Sequence, residues 1–380
     1  MSVEVDGAEG EGGGQILRGA IALSCITGKP TRVLRIRANR PNPGLQPQHL
    51  IGIEAAARVA GGRVDGLAIG STEVRFVPGR IEAGKYAFDV KTAGSVTLIM
   101  QTLLPILAFA GGESEVTLSG GTDVPWSPPI DYVKQVLLPY LGCFGVQAWV
   151  EVLRRGYYPK GGGRSILRVK GTEGLTAIRL IERGKVESVR GISHCANLPT
   201  HVARRQAEAA KKALLSAGLD NVRIMEESAM AAGLGSGITL WADAGYRIRL
   251  GGDALGAREK RAEEVGREAA ENLIREVQSG MAADRHFGDM ALLYMAVAKG
   301  TSELGVSSLS RHAETMVLLC KKFIGAEWDV ERRDANYMDR YFLSKEDVLR
   351  YATELGFELV NYQKGLGHEL SHWFTLQKKA

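Results

Sequence analysis

The sequence predicts an α/β (α+β) fold built from repeated β-α-β-α-β-β units, with a second α/β stretch of different composition. Two observations carry this. Strand, glycine-rich loop and helix recur in that order about every 80 residues. From about Leu180 the chain changes to long Ala/Lys/Arg-rich helices with few strands. The 380 residues are 45% hydrophobic and 24% charged, which is ordinary globular usage. At roughly 100–200 residues per domain, two domains are the expectation.

The elements follow in order. Val3-Glu4-Val5-Asp6 alternates as a short strand, and a loop from Glu9 to Gly14 leads into a helix through Ile16, Leu17, Ala20 and Leu23. Val33 to Arg37 reads as a strand with Arg35 and Arg37 on one face. Pro41-Asn42-Pro43-Gly44 is a turn, Gln48 to Ala60 a helix, and Val64 to Val77 two short strands. The cycle resumes with a strand at Tyr86–Val90 and a helix at Thr97–Ala110. A strand at Glu115–Ser119, a helix at Ile130–Leu141 and strands at Trp149–Arg154 and Ile166–Val169 complete it. The second stretch holds helices at His201–Ala217 and Ala257–Gln278 and strands at Val222–Glu226 and Ser236–Trp241. Helices at Met290–Val297 and Ala313–Phe323 return to the first domain, and residues beyond about 332 form a tail, with a helix expected to open at Ser344. The glycine pairs at 61–62, 111–112 and 251–252 are expected to be plain turns.

The net charge of +5 allows an anionic partner without requiring one. Four scattered cysteines, with no C-x-x-C pair, signal neither a zinc ribbon nor a disulfide framework. The charged N-terminus is no signal peptide, and the longest apolar run is too short for a bilayer. A cytoplasmic setting and no membrane partner are expected.

Glycine is in excess, with 47 residues. Gly12-Gly13-Gly14 before a helix can expose backbone N–H groups to phosphate oxygens, and Arg18, Arg37 and Arg40 add fork-shaped donors. Taken alone, such a loop is equally a tight turn beside a solvated basic face, and no P-loop Gly-Lys-Ser/Thr follows it. Gly120 to Pro129 is dense in turn residues and marks a defined loop. His312 opens an apolar helix. Such a histidine is commonly a surface or capping residue, but a neutral imidazole can also attack phosphorus and leave again. In the tail, His368-Glu369-Leu370-Ser371-His372 fits the H-E-x-x-H zinc pattern if helical, and is otherwise a chance match.

Several motifs in one order resemble the RNA 3′-terminal phosphate cyclases. They are Glu9 to Arg18, Ile36 to His49, Thr92-Ala-Gly-Ser95 with Gln101-Thr102, Gly120 to Pro129, and Gly156 to Gly163. The match runs from about Val3 to Glu331.

The resemblance implies a large catalytic domain of three β-α-β-α-β-β repeats, residues 1–183 plus 280–331, with a smaller α/β domain inserted at 184–279 and a C-terminal extension at 332–380. It implies ATP-dependent conversion of an RNA 3′-terminal phosphate to a 2′,3′-cyclic phosphodiester, with a divalent metal (Mg or Mn) as cofactor. His312 would be the adenylylated nucleophile and Glu11 the metal ligand. Arg18, Arg37, Arg40, Gln48 and His49 would line the triphosphate and RNA-end pocket. Gln101, Pro129 and the run His286-Phe287-Gly288-Asp289-Met290 would flank the nucleotide. Two positions depart from the family pattern: Met290 stands where a Gln usually follows Asp289, and Met316 where an Asn usually follows Thr315. A catalytically inactive branch acts as an RNA-binding protein in ribosome biogenesis. That branch lacks the histidine present here as His312, which favours the enzyme.

Overall fold

The computed structural model describes residues 2–245, 247–335 and 371–378. The first unit comprises β1 (Val3–Asp6), α1 (Gly14–Thr27), β2 (Thr31–Leu34), α2 (Pro47–Val59), β3 (Arg63–Asp65) and β4 (Val74–Val77). Helix α1 starts directly on the triple glycine and stops at Gly28, whose φ of 69° is the left-handed cap that glycine adopts without strain. Helix α2 starts at Pro47, which lacks only an N–H that the first turn would leave unbonded.

The second unit comprises β5 (Lys85–Asp89), α3 (Val96–Leu107), β6 (Glu113–Gly120), a short α4 (Ile130–Tyr132), α5 (Leu138–Leu141), β7 (Gln147–Arg154) and β8 (Gly163–Lys170). A π-turn at Val133–Leu137 joins α4 to α5. Strands β6 and β8 alternate buried and solvent-facing residues, as the two-residue period of a half-covered sheet requires.

A two-residue strand, β9 (Arg179–Leu180), opens the third unit, which is then interrupted. The interruption holds β10 (Ser188–Ala196), α6 (His201–Ser216), β11 (Val222–Ala229), β12 (Gly235–Asp243), β13 (Arg249–Leu255) and α7 (Ala262–Gln278). The third unit resumes with α8 (Arg285–Val297), β14 (Ser302–Val306), α9 (Arg311–Ile324), β15 (Trp328–Ala335) and β16 (Ser371–Lys378).

The three units share one topology. Their sheets run β1-β2-β4-β3, β5-β6-β8-β7 and β9-β14-β16-β15. In each, the first pair is parallel and the other two antiparallel. Strand β16, from the segment expected to be an extension, therefore occupies the place that β4 and β8 hold in their units. Each parallel pair embraces a helix, and α1, α3, α8 and α9 pack into one apolar core with Leu17, Ile21, Leu103, Phe287 and Phe323 at its centre. The interrupting stretch has a sheet of different order, β11-β10-β12-β13, and a second core of Val189, Leu214, Leu240, Leu250 and Leu273 under α6 and α7.

Three local expectations are corrected. The strand read at Val33–Arg37 ends at Leu34, and Arg35 and Arg37 sit at φ 48° and 55°, in a left-handed turn rather than on one strand face. Strands β10 and β13 were not foreseen. Gly251 and Gly252 are not a turn but the middle of β13. A Cβ at Gly252 would lie 2.4 Å from the Leu273 nitrogen, so glycine lets α7 pack directly on the strand. The helix expected from Ser344, with His368 and Glu369, lies outside the described residues. His372 falls in strand β16, not in a helix. All four cysteines are free, and no described helix is long and apolar enough to cross a membrane.

Candidate active site

Where the loops and helix starts of the three units converge there is a cavity of about 1320 Å³. Of the residues singled out in the sequence, Glu11, Arg18, Arg37, Arg40, Gln48, His49, Gln101, His286, Asp289, Met290 and His312 all line it. Pro129, Phe287 and Gly288 do not. Pro128 faces the cavity while Pro129 begins α4. Phe287 is fully buried, stacked on Tyr140 with ring centroids 3.9 Å apart. Gly288 lies against Val306 in the core.

One wall comes from the first unit and is basic. The Glu9–Gly14 loop turns through Gly12 at φ 62°. A Cβ at Gly14 would fall 2.4 Å from His49 Nε2, so the absence of a side chain there keeps imidazole and backbone together. His49 Nδ1 accepts the Gln46 N–H at 3.2 Å, which leaves Nε2 to carry the proton of the neutral ring. Burial, with Arg18 and Arg37 nearby, pushes His49 down to about 3. Burial also lowers Arg18 to about 10. Arg37 is fixed by donating to the Gly44 carbonyl at 3.0 Å. Gln48 Oε1 accepts the Ser95 N–H at 2.9 Å, tying this wall to the start of α3.

His312 projects from the first turn of α9. Ser310 caps that helix, its Oγ accepting the N–H groups of His312 (3.0 Å) and Ala313 (3.1 Å). The same Oγ donates to Asp289. His312 Nδ1 is buried without a hydrogen-bond partner, 3.6 Å from Glu11 Oε2. Glu11 is in turn paired with Arg40, and its backbone N–H donates to Thr315 Oγ1 at 3.1 Å. Burial, then the charges of Arg18 and Arg40, push His312 down to about 4. The imidazole is therefore neutral near pH 7.

Beside the cavity lies an acidic cluster, of which Asp253 and Asp289 reach the lining. Asp284, fully buried, accepts from Tyr132 Oη (2.7 Å), the Gly251 N–H (2.8 Å) and the Phe287 N–H (2.8 Å). Around it burial raises Asp253, Glu276 and Asp289 to about 7 each, and the Asp284 charge adds to the shift. Asp253 and Arg285 also line the cavity and were missed in the sequence. Asp253 sits on unforeseen β13, and no local motif marks it.

A family profile of RNA 3′-terminal phosphate cyclases matches residues 9–330. RNA 3′-terminal phosphate cyclases of Thermococcus kodakarensis and Staphylothermus marinus are each 50% identical to this chain, over 329 and 328 residues. Those alignments cover 87% and 85% of this chain and 94% and 92% of the relatives. The cyclase of Pyrobaculum neutrophilum is 44% identical over 338 residues, 89% of this chain and 97% of the relative.

The chain belongs to the RNA 3′-terminal phosphate cyclase family.

The two methionines that the resemblance singles out have a physical place. Met290 Sδ is 3.2 Å from Gln101 Nε2 and accepts weakly from it. Met316 lies over Gly19, where a Cβ would come within 2.8 Å of its methyl carbon, so the larger side chain is matched by the missing one on α1. One further cluster had no sequence signal. Asp123, Asp131 and His194 come within 4.8 Å of one another, fully buried, but Arg155 already bridges both carboxylates, at 3.3 and 2.8 Å. Arg155 also pairs with Glu227 on β11 at 2.8 Å, and Tyr157 Oη meets His194 Nδ1 at 2.7 Å. These contacts join the second unit to β10 and β11.

Proposed function

We propose that this cyclase-family chain converts an RNA 3′-terminal phosphate to a 2′,3′-cyclic phosphodiester with ATP, through an adenylylated His312. The observation that carries it is the His312 imidazole, held in one cavity with Arg18, Arg37 and Arg40 and with Gln101, Asp289 and Met290. With Nδ1 turned to Glu11, Nε2 keeps its lone pair for phosphorus.

In the first step Nε2 forms a bond to the α-phosphorus of ATP and the bond to pyrophosphate breaks. An oxygen of the RNA 3′-phosphate then displaces the histidine, restoring the neutral ring. The adjacent 2′-hydroxyl closes on the 3′-phosphorus as the bond to AMP breaks, and its proton passes to solvent. This last step needs mainly positioning, because the hydroxyl is already tethered beside the activated phosphate. Arg18, Arg37, Arg40 and the Nε2–H of His49 would hold the phosphates against their mutual repulsion. Gln101, Met290, His286 and Asp289 would seat the nucleoside.

Glu11 fits a Mg or Mn ion. Such ions are held by one or two carboxylates plus substrate phosphates, and Glu11 stands beside the orphaned Nδ1 with Arg40 as the charge it now balances. The ion would supply charge neutralisation at the phosphates. Residues 1–183 with 280–335 and β16 would form the catalytic body and 184–279 the insert, in a cytoplasmic enzyme acting on RNA.

The test is a label. With ATP carrying label at the α-phosphate, the chain should form an acid-labile adduct that His312→Ala abolishes. A wild-type chain that binds RNA but takes no label would instead support the RNA-binding, non-catalytic branch.

A further inference from the structure

Trp126 is the most exposed large apolar side chain among the described residues, at 97%, and Tyr158 is 68% exposed. Both line the His312 cavity. The indole is bare, but the backbone that carries it is held in place. Trp126 sits at φ 61°, a region that bulky residues disfavour. Prolines 125, 128 and 129 flank it, and Ser127 Oγ donates to the Val124 carbonyl at 3.0 Å. The Ile130 N–H closes the loop on the Thr122 carbonyl at 3.0 Å, and Thr97 Oγ1 anchors the Pro128 carbonyl at 2.8 Å.

The Tyr158 loop is joined to the same frame. The Gly156 N–H donates to Thr122 Oγ1 at 2.8 Å, and the Thr122 N–H returns a bond to the Gly156 carbonyl at 2.8 Å. Gly161 packs on the backbone of Thr92 and Ala93. Three loops, 91–95, 121–129 and 156–162, thus form one rigid rim.

The charge of that rim is one-sided. Its two lysines, Lys91 and Lys160, are exposed, and its single carboxylate, Asp123, is buried against Arg155. Asp89, just before the rim, turns its carboxylate to the Lys91 N–H at 2.8 Å. Flat exposed rings on a fixed frame, with two exposed cations on the same rim, are what an unpaired polynucleotide needs. Every base has a π-face to stack, and the backbone needs only positive charge.

We propose that Trp126 and Tyr158 form a stacking platform for the unpaired bases next to the RNA 3′ end, with Lys91 and Lys160 taking backbone phosphates. This rests on the cyclase reading of the same cavity. The platform positions the RNA; it touches none of the reacting atoms.

The test uses the full chain and a five-nucleotide single-stranded RNA ending in a 3′-phosphate. Trp126→Ala should raise the RNA half-saturation roughly tenfold, within the range of one base–aromatic stack, with a smaller effect on kcat. Trp126→Phe should recover most of the loss and Trp126→Leu little of it. Adding this RNA should quench tryptophan fluorescence in the wild type and much less in Trp126→Ala. Labelling from ATP alone reports whether each variant is folded. A half-saturation within twofold of wild type, equal rescue by Leu and Phe, or unchanged quenching overturns the platform. If the wild type takes no label, the cyclase reading fails, and the quenching titration still decides the platform.

Discussion

On one side of the cavity, burial helped by arginines lowers the histidines; on the other, burial helped by a carboxylate raises the carboxyls. Arg18 and Arg37 stand beside His49, which burial pushes to about 3. Asp284 stands beside Asp253 and Asp289, which burial pushes to about 7. The physical terms are the same and only the sign of the fixed charge differs. The consequence differs too. The basic wall carries fixed positive charge plus neutral ring nitrogens, which suits anions. On the acidic side, Asp284 lies behind the lining, and its oxygens are already taken by three donors. The remaining carboxyls titrate near neutrality and suit an uncharged base and ribose.

This contrast can be broken from either side. The largest effect is expected on the basic wall: Arg18→Ala should slow His312 labelling about 100-fold, as loss of one fixed charge donor at a transition state does. A loss under threefold would remove Arg18 from the phosphate site. Glu11→Ala should cost about 10–100-fold in labelling and shift the divalent-ion titration, with the thermal midpoint unchanged. An unaltered ion titration would deny Glu11 that role.

The acidic wall is read in stability rather than rate. A carboxyl with a raised folded-state value binds more protons folded than unfolded. Its contribution is therefore complete below the ordinary carboxyl value, near 4, and is lost as pH rises through about 7. Asp253→Asn should gain about 1–2 kcal/mol relative to wild type at pH 8 and nearly nothing at pH 4, measured by denaturant unfolding at both. A gain equal at both pH values would mean that Asp253 is ionised throughout. The smallest effect is expected at the wall's edge. Met290→Gln should change the ATP half-saturation less than about threefold, because a thioether already accepts weakly from Gln101. A tenfold change in nucleotide preference would make Met290 a selectivity residue.

The two walls also differ in how far the sequence disclosed them. The basic wall was legible because its residues follow one another closely: a triple glycine, then Arg18, Arg37, Arg40, Gln48 and His49 on neighbouring loops and helix starts. His312 was legible through its place at the start of an apolar helix together with the family motifs. The acidic wall was not. Asp253, Glu276 and Asp284 lie on β13, on α7 and before α8, and the packing of α7 on Gly252 and the Gly251 N–H bond to Asp284 bring them together. Phe287 and Gly288 misled for a related reason: neighbours of a site residue on a helix point elsewhere, here into Tyr140 and Val306. Arg37 reached the cavity by a left-handed turn that strand alternation does not encode.

The interruption between β9 and α8 sets an order of assembly. The first two units pair strands that are close along the chain, so their loops close early and at little entropic cost. The third must bring Ile178 to Ser302, 124 residues apart, before its sheet can begin. A refolding chain is thus expected to present its arginines before the side of the cavity built by α8 and α9 exists. Phosphate affinity should return first, and His312 should become reactive only when the last sheet closes.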